Sequence, residues 1–395
     1  MPPRANRQTL LTLVSVLWPM LLAGCGRGNA VFCAVPSTAG TGGTTCGSSS
    51  TTTAPEVLYA TSRSNGGQIL AITVDPSSGT LGASTSFSGP LSASGIATSH
   101  NQFLYVSDDQ NGAVDAFSID QTNGSLTLIP GSPFTPSGQL AFAPQALVAS
   151  STTVYSNALN GITGFSIGTN GALTTVVGSP YPGGLGGQSA LGQSNTMPPN
   201  FFLYATNFGD PGGAISAFQI VAPVSGILTP VPGNFTTGAF SGPNAIVFDG
   251  AFSTPFVFVG LNNSQEIAAF SVNVSTGALT PVPGSPFSTG FTPGFLALNA
   301  EQNSLYAMTP NGAIYAYRIQ TNGLLAAIGS FPVMVGAPPG GMIITPGDFL
   351  YVSVPTSNLI QGYSINTSGL LTPIAGSPFL AVEPELLSVA ELPQP

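Results

Sequence analysis

Short apolar runs of five to seven residues, punctuated by glycine, proline, asparagine and serine, recur from about residue 56 to the end of the chain. An aromatic strand signal appears at Leu58-Tyr59, Leu104-Tyr105, Val154-Tyr155, Leu203-Tyr204, Val257-Phe258, Leu305-Tyr306 and Leu350-Tyr351, at spacings of 45 to 54 residues. A second apolar strand follows each, over residues 69–74, 113–119, 162–167, 214–220, 266–272, 313–319 and 359–365. Tight turns such as Thr122-Asn123-Gly124 come next, and Asn-Gly supplies the positive φ angles that a hairpin needs. The third strand begins Gly-x-Leu-Thr in five of the seven units and carries Pro230, Pro232, Pro281, Pro283 or Pro373 in several. Proline cannot donate to a ladder, so this strand is an edge. A Gly-Ser-Pro-aromatic loop (131–134, 178–181, 284–287, 376–379) and a fourth apolar strand (145–149, 244–248, 295–298, 342–345) complete the unit.

Four short strands per roughly 50 residues, the outermost tolerating proline, predict a propeller blade. With the innermost strand called A and the rest B, C and D outward, the domain begins on a B strand at Val57 and ends on an A strand over residues 385–392. The expectation is an all-β, seven-bladed β-propeller of four-stranded blades over residues 56–395, closed by a C-terminal A strand completing blade one. A transmembrane barrel needs strands of about ten residues, and a β-helix has a shorter period.

Composition narrows the partners. Charged residues are 5% of the chain, lysine is absent, and the five arginines are Arg4, Arg7, Arg27, Arg63 and Arg318. With a net charge of -9, the chain lacks the basic footprint that displaces counterions from phosphates, which excludes nucleic-acid binding. Anionic membrane surfaces are poor partners for the same reason.

The N-terminus reads as an address. Arg4 and Arg7 precede an apolar stretch over residues 10–22, the right length for a signal-peptide h-region and short for a membrane span. It ends Leu22-Ala23-Gly24-Cys25, which resembles the bacterial lipobox and implies lipidation of Cys25 after removal of residues 1–24. Gly26 in place of an acidic retention residue points to the outer membrane. Residues 25–55, rich in Gly, Ser and Thr, read as a tether. Cys33 and Cys46 within it are either a disulfide or two free thiols, and they make a poor metal site. Membrane contact is expected only through the lipid, with a monomeric protein and no cofactor.

Units such as Phe103-Leu104-Tyr105-Val106-Ser107, Ala116-Phe117-Ser118-Ile119-Asp120 and Gly124-Ser125-Leu126-Thr127 resemble the lactonase-like seven-bladed propellers, including the 6-phosphogluconolactonase type and the Tyr-Val-Thr-Asn repeat proteins. Leu203-Tyr204-Ala205-Thr206-Asn207 is close to the named repeat. The resemblance covers about residues 56–395. It implies that an enzymatic member opens a sugar lactone ring, although propellers host many unrelated functions.

Lactone hydrolysis needs an activated water, a proton donor and oxyanion stabilisation. The single histidine, His100, falls in an A–B turn. A–B and C–D turns share one face of the disc, and B–C and D–A loops share the other. The longer D–A loops make the second face the functional one, opposite His100. Its B–C loops supply Arg63, Asp108, Asp109, Asn157, Asn160, Asn207, Asp210, Asn262, Asn263, Asn311 and Asn358. Arg63, Asp108 and Asp109 are the candidate catalytic group, with Arg63 expected beside the two aspartates. Asn157, Asn207, Asp210 and Asn262 are candidate ligand contacts. The competing reading is that Asn and Asp close turns by bonding their own backbone and that Arg63 forms an exposed ion pair of little worth. No calcium-loop, zinc or phosphate-loop motif is present. Three functions remain: a surface-tethered module binding a small polar ligand or an envelope protein, a lactone hydrolase, and a structural envelope or matrix protein. A lectin-like binder is disfavoured, because Trp18 lies in the segment to be removed and the tyrosines sit mostly inside strands.

Overall fold

A computed structural model describes residues 54–137, 144–158, 160–193, 199–221, 225–329 and 332–393, together with the backbone of Gly24–Cys25. The rest of the predicted signal peptide and most of the tether, with Cys33 and Cys46, lie outside the described residues, as does the side chain of Cys25.

Seven antiparallel sheets form seven blades, and each runs A-B-C-D, with the Gly24–Cys25 backbone pairing onto Ser99 and Thr98 at the strand A edge of one of them. Blade one takes strand A from the C-terminus (Pro384–Glu391) and continues through Glu56–Ser62, Gln68–Val74 and Leu81–Ser88. The closing strand pairs with strand B from Glu56↔Glu391 to Ser62↔Pro384. It buries Leu386, Leu387, Val389 and Ala390. The predicted C-terminal clasp is therefore the closure of the ring.

Blade two comprises Ile96–Ser99, Phe103–Asp108, Ala113–Ile119 and Leu126–Leu128. Blade three comprises Pro144–Ala149, Thr153–Ala158, Gly161–Ile167 and Leu173–Thr175. The first three strands of blade four are Gly186–Gln193, Phe201–Asn207 and Ala214–Val221, and those of blade five are Pro243–Asp249, Phe256–Leu261 and Glu266–Val272. Blades six and seven repeat the pattern from Phe295–Asn299 and Gly341–Ile344. The proline-bearing strands are the outermost, as the missing N–H requires: Pro230, Pro281 and Pro373 stand opposite Phe218, Phe270 and Tyr363 of their C strands.

The Gly-Ser-Pro-aromatic segment differs from its expected role as a D–A loop. The chain re-enters the ladder at the aromatic residue, so Phe287 pairs with Ile267 and Phe379 with Ile360. The segment is a bulge inside strand D. Its serine explains the motif: Ser132, Ser179, Ser285 and Ser377 each accept, at Oγ, the N–H of Ala116, Gly164, Ala269 or Gly362 at 2.8–3.0 Å. The hydroxyl replaces the carbonyl that the bulge removes from the ladder.

The strand-B aromatic also acquires a cause. Tyr59, Tyr105, Tyr155, Tyr204 and Tyr306 donate their hydroxyls to the carbonyls of Gly124, Gly171, Gly226, Gly277 and Gly369, in the C–D turn of the next blade, at 2.8–3.0 Å. Tyr351 closes the circle on Gly79. Only blade five lacks the bond, because Phe258 stands there. Each of these tyrosines is fully buried and would otherwise strand a polar atom in the core. The acceptor glycines cannot carry a side chain. Gly277 has φ +76°, and a Cβ there would lie 2.5 Å from the ring of buried Phe202. Gly277→Ala is expected to cost about 2 kcal/mol or more, through positive φ and overpacking together. Chemical denaturation checks this, and a change within about 0.5 kcal/mol would remove the close approach as an explanation.

Candidate functional site

Loop pairing sorts the two faces as predicted. B–C and D–A loops bond to each other, as in Asp109 N–H to Ser92, Thr237 N–H to Gly213 and Ala381 N–H to Asn358. On the other face, the Gln121 side chain from a C–D turn donates to the Asn101 carbonyl of an A–B turn. His100 lies in that turn, away from the candidate residues.

Arg63 reaches its own blade. Its Nε lies 2.9 Å from Oε1 of Glu385, at the root of the closing strand, with the arginine 63% and the glutamate 18% exposed. This replaces the expected pairing with Asp108 and Asp109. The aspartates serve their own turn: Asp108 accepts the Asn111 backbone N–H at 3.1 Å and the Asn111 side chain at 2.6 Å. Asp109 accepts the Ser94 hydroxyl at 2.9 Å. The loops of Arg63 and Asp109 meet through the intervening segment, since Gly89 bonds Gly67 and Asp109 bonds Ser92.

The candidate ligand contacts follow the same pattern. Asn157 is fully buried, donates to Gly187 of the next blade and accepts the Ser189 hydroxyl. Asn207 accepts the Leu185 N–H and donates to Ala214 and Ser216. Asp210 accepts the Gly212 N–H at 2.8 Å. Asn262 bonds through its backbone, to Gly242 and Thr292, and its Oδ1 is buried without a hydrogen-bond partner. Two residues after the strand-B aromatic, Ser107 and Thr206 bond strand A through their hydroxyls. One residue further, Asp108 and Asn207 fasten the B–C turn. The Thr-Asn half of the repeat is thus a joint between strands.

Sequence reasoning missed Asp115 and Glu385. Asp115 is a half-buried residue of strand C in blade two, and burial first, then the neighbouring Asp108 carboxylate, push its carboxyl up to about 6. The Ser132 hydroxyl lies 3.4 Å from it. An acid inside an otherwise apolar strand was the available signal.

The opposite face also holds acids. Glu56 is 2% exposed and faces Glu391 across the closing ladder. Burial pushes it up to about 7, with Glu391 and Asp348 adding repulsion. Its Oε1 accepts the Gly347 N–H at 2.8 Å, and its Oε2 has no hydrogen-bond partner. Asp348 is held by Asn299 and Gln302. Arg318 ties the Gln302 carbonyl of blade six to the Thr367 carbonyl of blade seven. Among the described residues, no group of three or more His, Cys, Asp and Glu side chains is placed to hold a metal ion.

Residues 56–144 and 262–375 match the family model described as lactonase, 7-bladed beta-propeller. The chain belongs to the lactonase family of seven-bladed propellers. Two solved structures illustrate the likeness. A proposed 6-phosphogluconolactonase of Bacteroides fragilis is 22% identical with a TM-score of 0.65, over 87% of this chain and 100% of that one. The periplasmic gluconolactonase PpgL of Pseudomonas aeruginosa is 16% identical with a TM-score of 0.65, over 86% and 100%. At these identities the likeness is one of fold. No curated protein matches the chain. The match takes in strands B to D of blade one and all of blade two, passes over residues 145–261, and resumes at the B–C loop of blade five, ending before the closing strand.

Proposed function

We propose that this lactonase-family propeller is an exported protein, lipid-anchored through Cys25 at the outer membrane, whose B–C and D–A loop face binds an uncharged polar ligand without turning it over. One observation carries the reading: the candidate catalytic side chains of that face are engaged in holding its loops. Arg63 is neutralised by Glu385, and Asp108 and Asp109 are fixed by Asn111 and Ser94. A phosphorylated ligand calls for a cationic clamp, and the arginine of this face already has its carboxylate. A neutral ligand suits the charge that remains.

A second reading, lactone hydrolysis, is favoured by Asp115. A carboxyl near pH 6 beside a carboxylate and a hydroxyl suits general-base work, and it lies within residues that match the family. Both readings meet in one assay. The full chain is tested against sugar and aliphatic lactones beside Asp115→Asn and an Arg63/Asp108/Asp109 triple-alanine variant. The binding module predicts no turnover above either variant. Turnover that vanishes in Asp115→Asn with the fold intact makes the protein a hydrolase.

A further inference from the structure

We propose that Phe208, Phe240 and Leu185 form a rigid aromatic platform on the loop face, over blades three to five, that stacks the apolar face of a neutral oligosaccharide. The proposal rests on the loop face being the ligand face, and it names the site and ligand class there.

Phe240 carries the argument. It sits in the D–A loop after blade four, at φ +57°, and is 73% exposed. Among the described residues it is the one apolar side chain at positive φ; the other non-glycine cases are Asn, Asp, His, Gln and Glu. The same loop uses glycine at its two other positive-φ positions, Gly238 and Gly242. A bulky side chain in the left-handed region is strained, and an exposed ring recovers none of that cost through burial. Strain held at an exposed aromatic is an indication of function.

The display is fixed from several sides. The Phe240 N–H bonds Pro211 at 2.8 Å, its carbonyl accepts the Asn263 side chain at 3.1 Å, and Thr237 and Ser241 bond each other at 2.7 Å. Pro211 belongs to the B–C loop of blade four, which carries Phe208, 44% exposed. Leu185, 46% exposed, is held on the adjoining loop by its N–H to Asn207. Aromatic faces on a fixed frame give contact area at low entropic cost.

The surroundings choose the ligand. Asn262 and Asn263 flank the Phe240 loop, through Gly242 and Ser241. Amides beside exposed rings suit a molecule with C–H faces and hydroxyl edges. Three side chains on separate loops offer far less than the roughly 800 Å² per side of a stable protein interface. Phe208, Phe240 and Leu185 all lie in residues that the family model passes over.

Calorimetric titration of the full chain with maltohexaose, cellohexaose and chitohexaose tests this, beside Phe240→Gly, Phe208→Ala and Arg63→Ala. At least one hexasaccharide is expected to bind saturably. Phe240→Gly and Phe208→Ala should each weaken it by about tenfold or more. Phe240→Gly should also melt at the same or a higher temperature, because glycine relieves the backbone. No binding of any hexasaccharide, undiminished binding in both phenylalanine variants, or a lower melting temperature for Phe240→Gly overturns the platform. Saccharide binding lost in Arg63→Ala but kept in the phenylalanine variants sinks the platform and leaves the loop face as the ligand face.

Discussion

Thermal stability is expected to rise as the pH falls from about 8 to about 5, and Glu56→Gln is expected to remove much of that rise. The buried carboxyl of Glu56 is pushed from its ordinary 4.5 to about 7, and Asp249, fully buried in blade five, from 3.8 to about 6. Glu301 and Glu391 move in the same direction, chiefly through burial. A carboxyl with a raised folded value takes up a proton on folding. Its stabilisation is therefore complete below its unfolded value and disappears as the pH rises through its folded one. For Glu56 that window runs from 4.5 to about 7, and the difference amounts to about 3 kcal/mol. The lowered carboxyls, Asp75 and Asp120, are solvent-exposed and titrate below this window. Glutamine keeps the acceptor for the Gly347 N–H without the charge. The variant should melt a few degrees above the native protein at pH 8 and close to it at pH 5. A native melting temperature that climbs with pH across this interval would contradict the account, as would a Glu56→Gln profile parallel to the native one. The effect concentrates at the ring closure, where Glu56 and Glu391 are like charges directly opposite in the ladder.

Removing residues 384–395 is expected to abolish cooperative folding. The deletion strips strand A from blade one, exposes strand B along its length and removes Leu386, Leu387 and Val389 from the core. Each of these side chains contributes about 1.5–3 kcal/mol by burial, against a total stability of about 5–15 kcal/mol. The Thr61 hydroxyl also loses the Leu386 N–H, and Ser353 loses its acceptor at Glu385. Circular dichroism and denaturant melts read the outcome. A cooperative transition within about 1 kcal/mol of the native protein would mean that the ring holds without its clasp. Adding a peptide of residues 384–395 should restore the transition in part, since the vacated edge is the only change.

Much of this architecture was legible because each device is local. An Asn-Gly turn, a two-residue alternation and a proline at an edge act within a few residues, and seven repetitions make them unmistakable. Closure by the C-terminus was legible too, since counting strands left one A strand for the one blade that lacked it. The candidate site was less so. Asp108 and Asp109 stood out by residue type, yet type does not reveal what a carboxylate bonds. Phe240 escaped notice because an aromatic in an apolar-rich sequence reads as core. Only its φ angle and exposure distinguish it.

By itself, then, the sequence determined the strand count, the order A to D within each blade, the edge position of strand D and the two faces of the disc. These depend on periodicity and turn chemistry, which short segments carry. The tertiary structure alone decided that Arg63 answers Glu385, that Ser-Pro segments are bulges, that Tyr hydroxyls stitch neighbouring blades and that Glu56 meets Glu391. Each is a contact between residues from about 15 to more than 300 positions apart. Its partner is set by how blades pack and how the ring closes, and no local pattern encodes that.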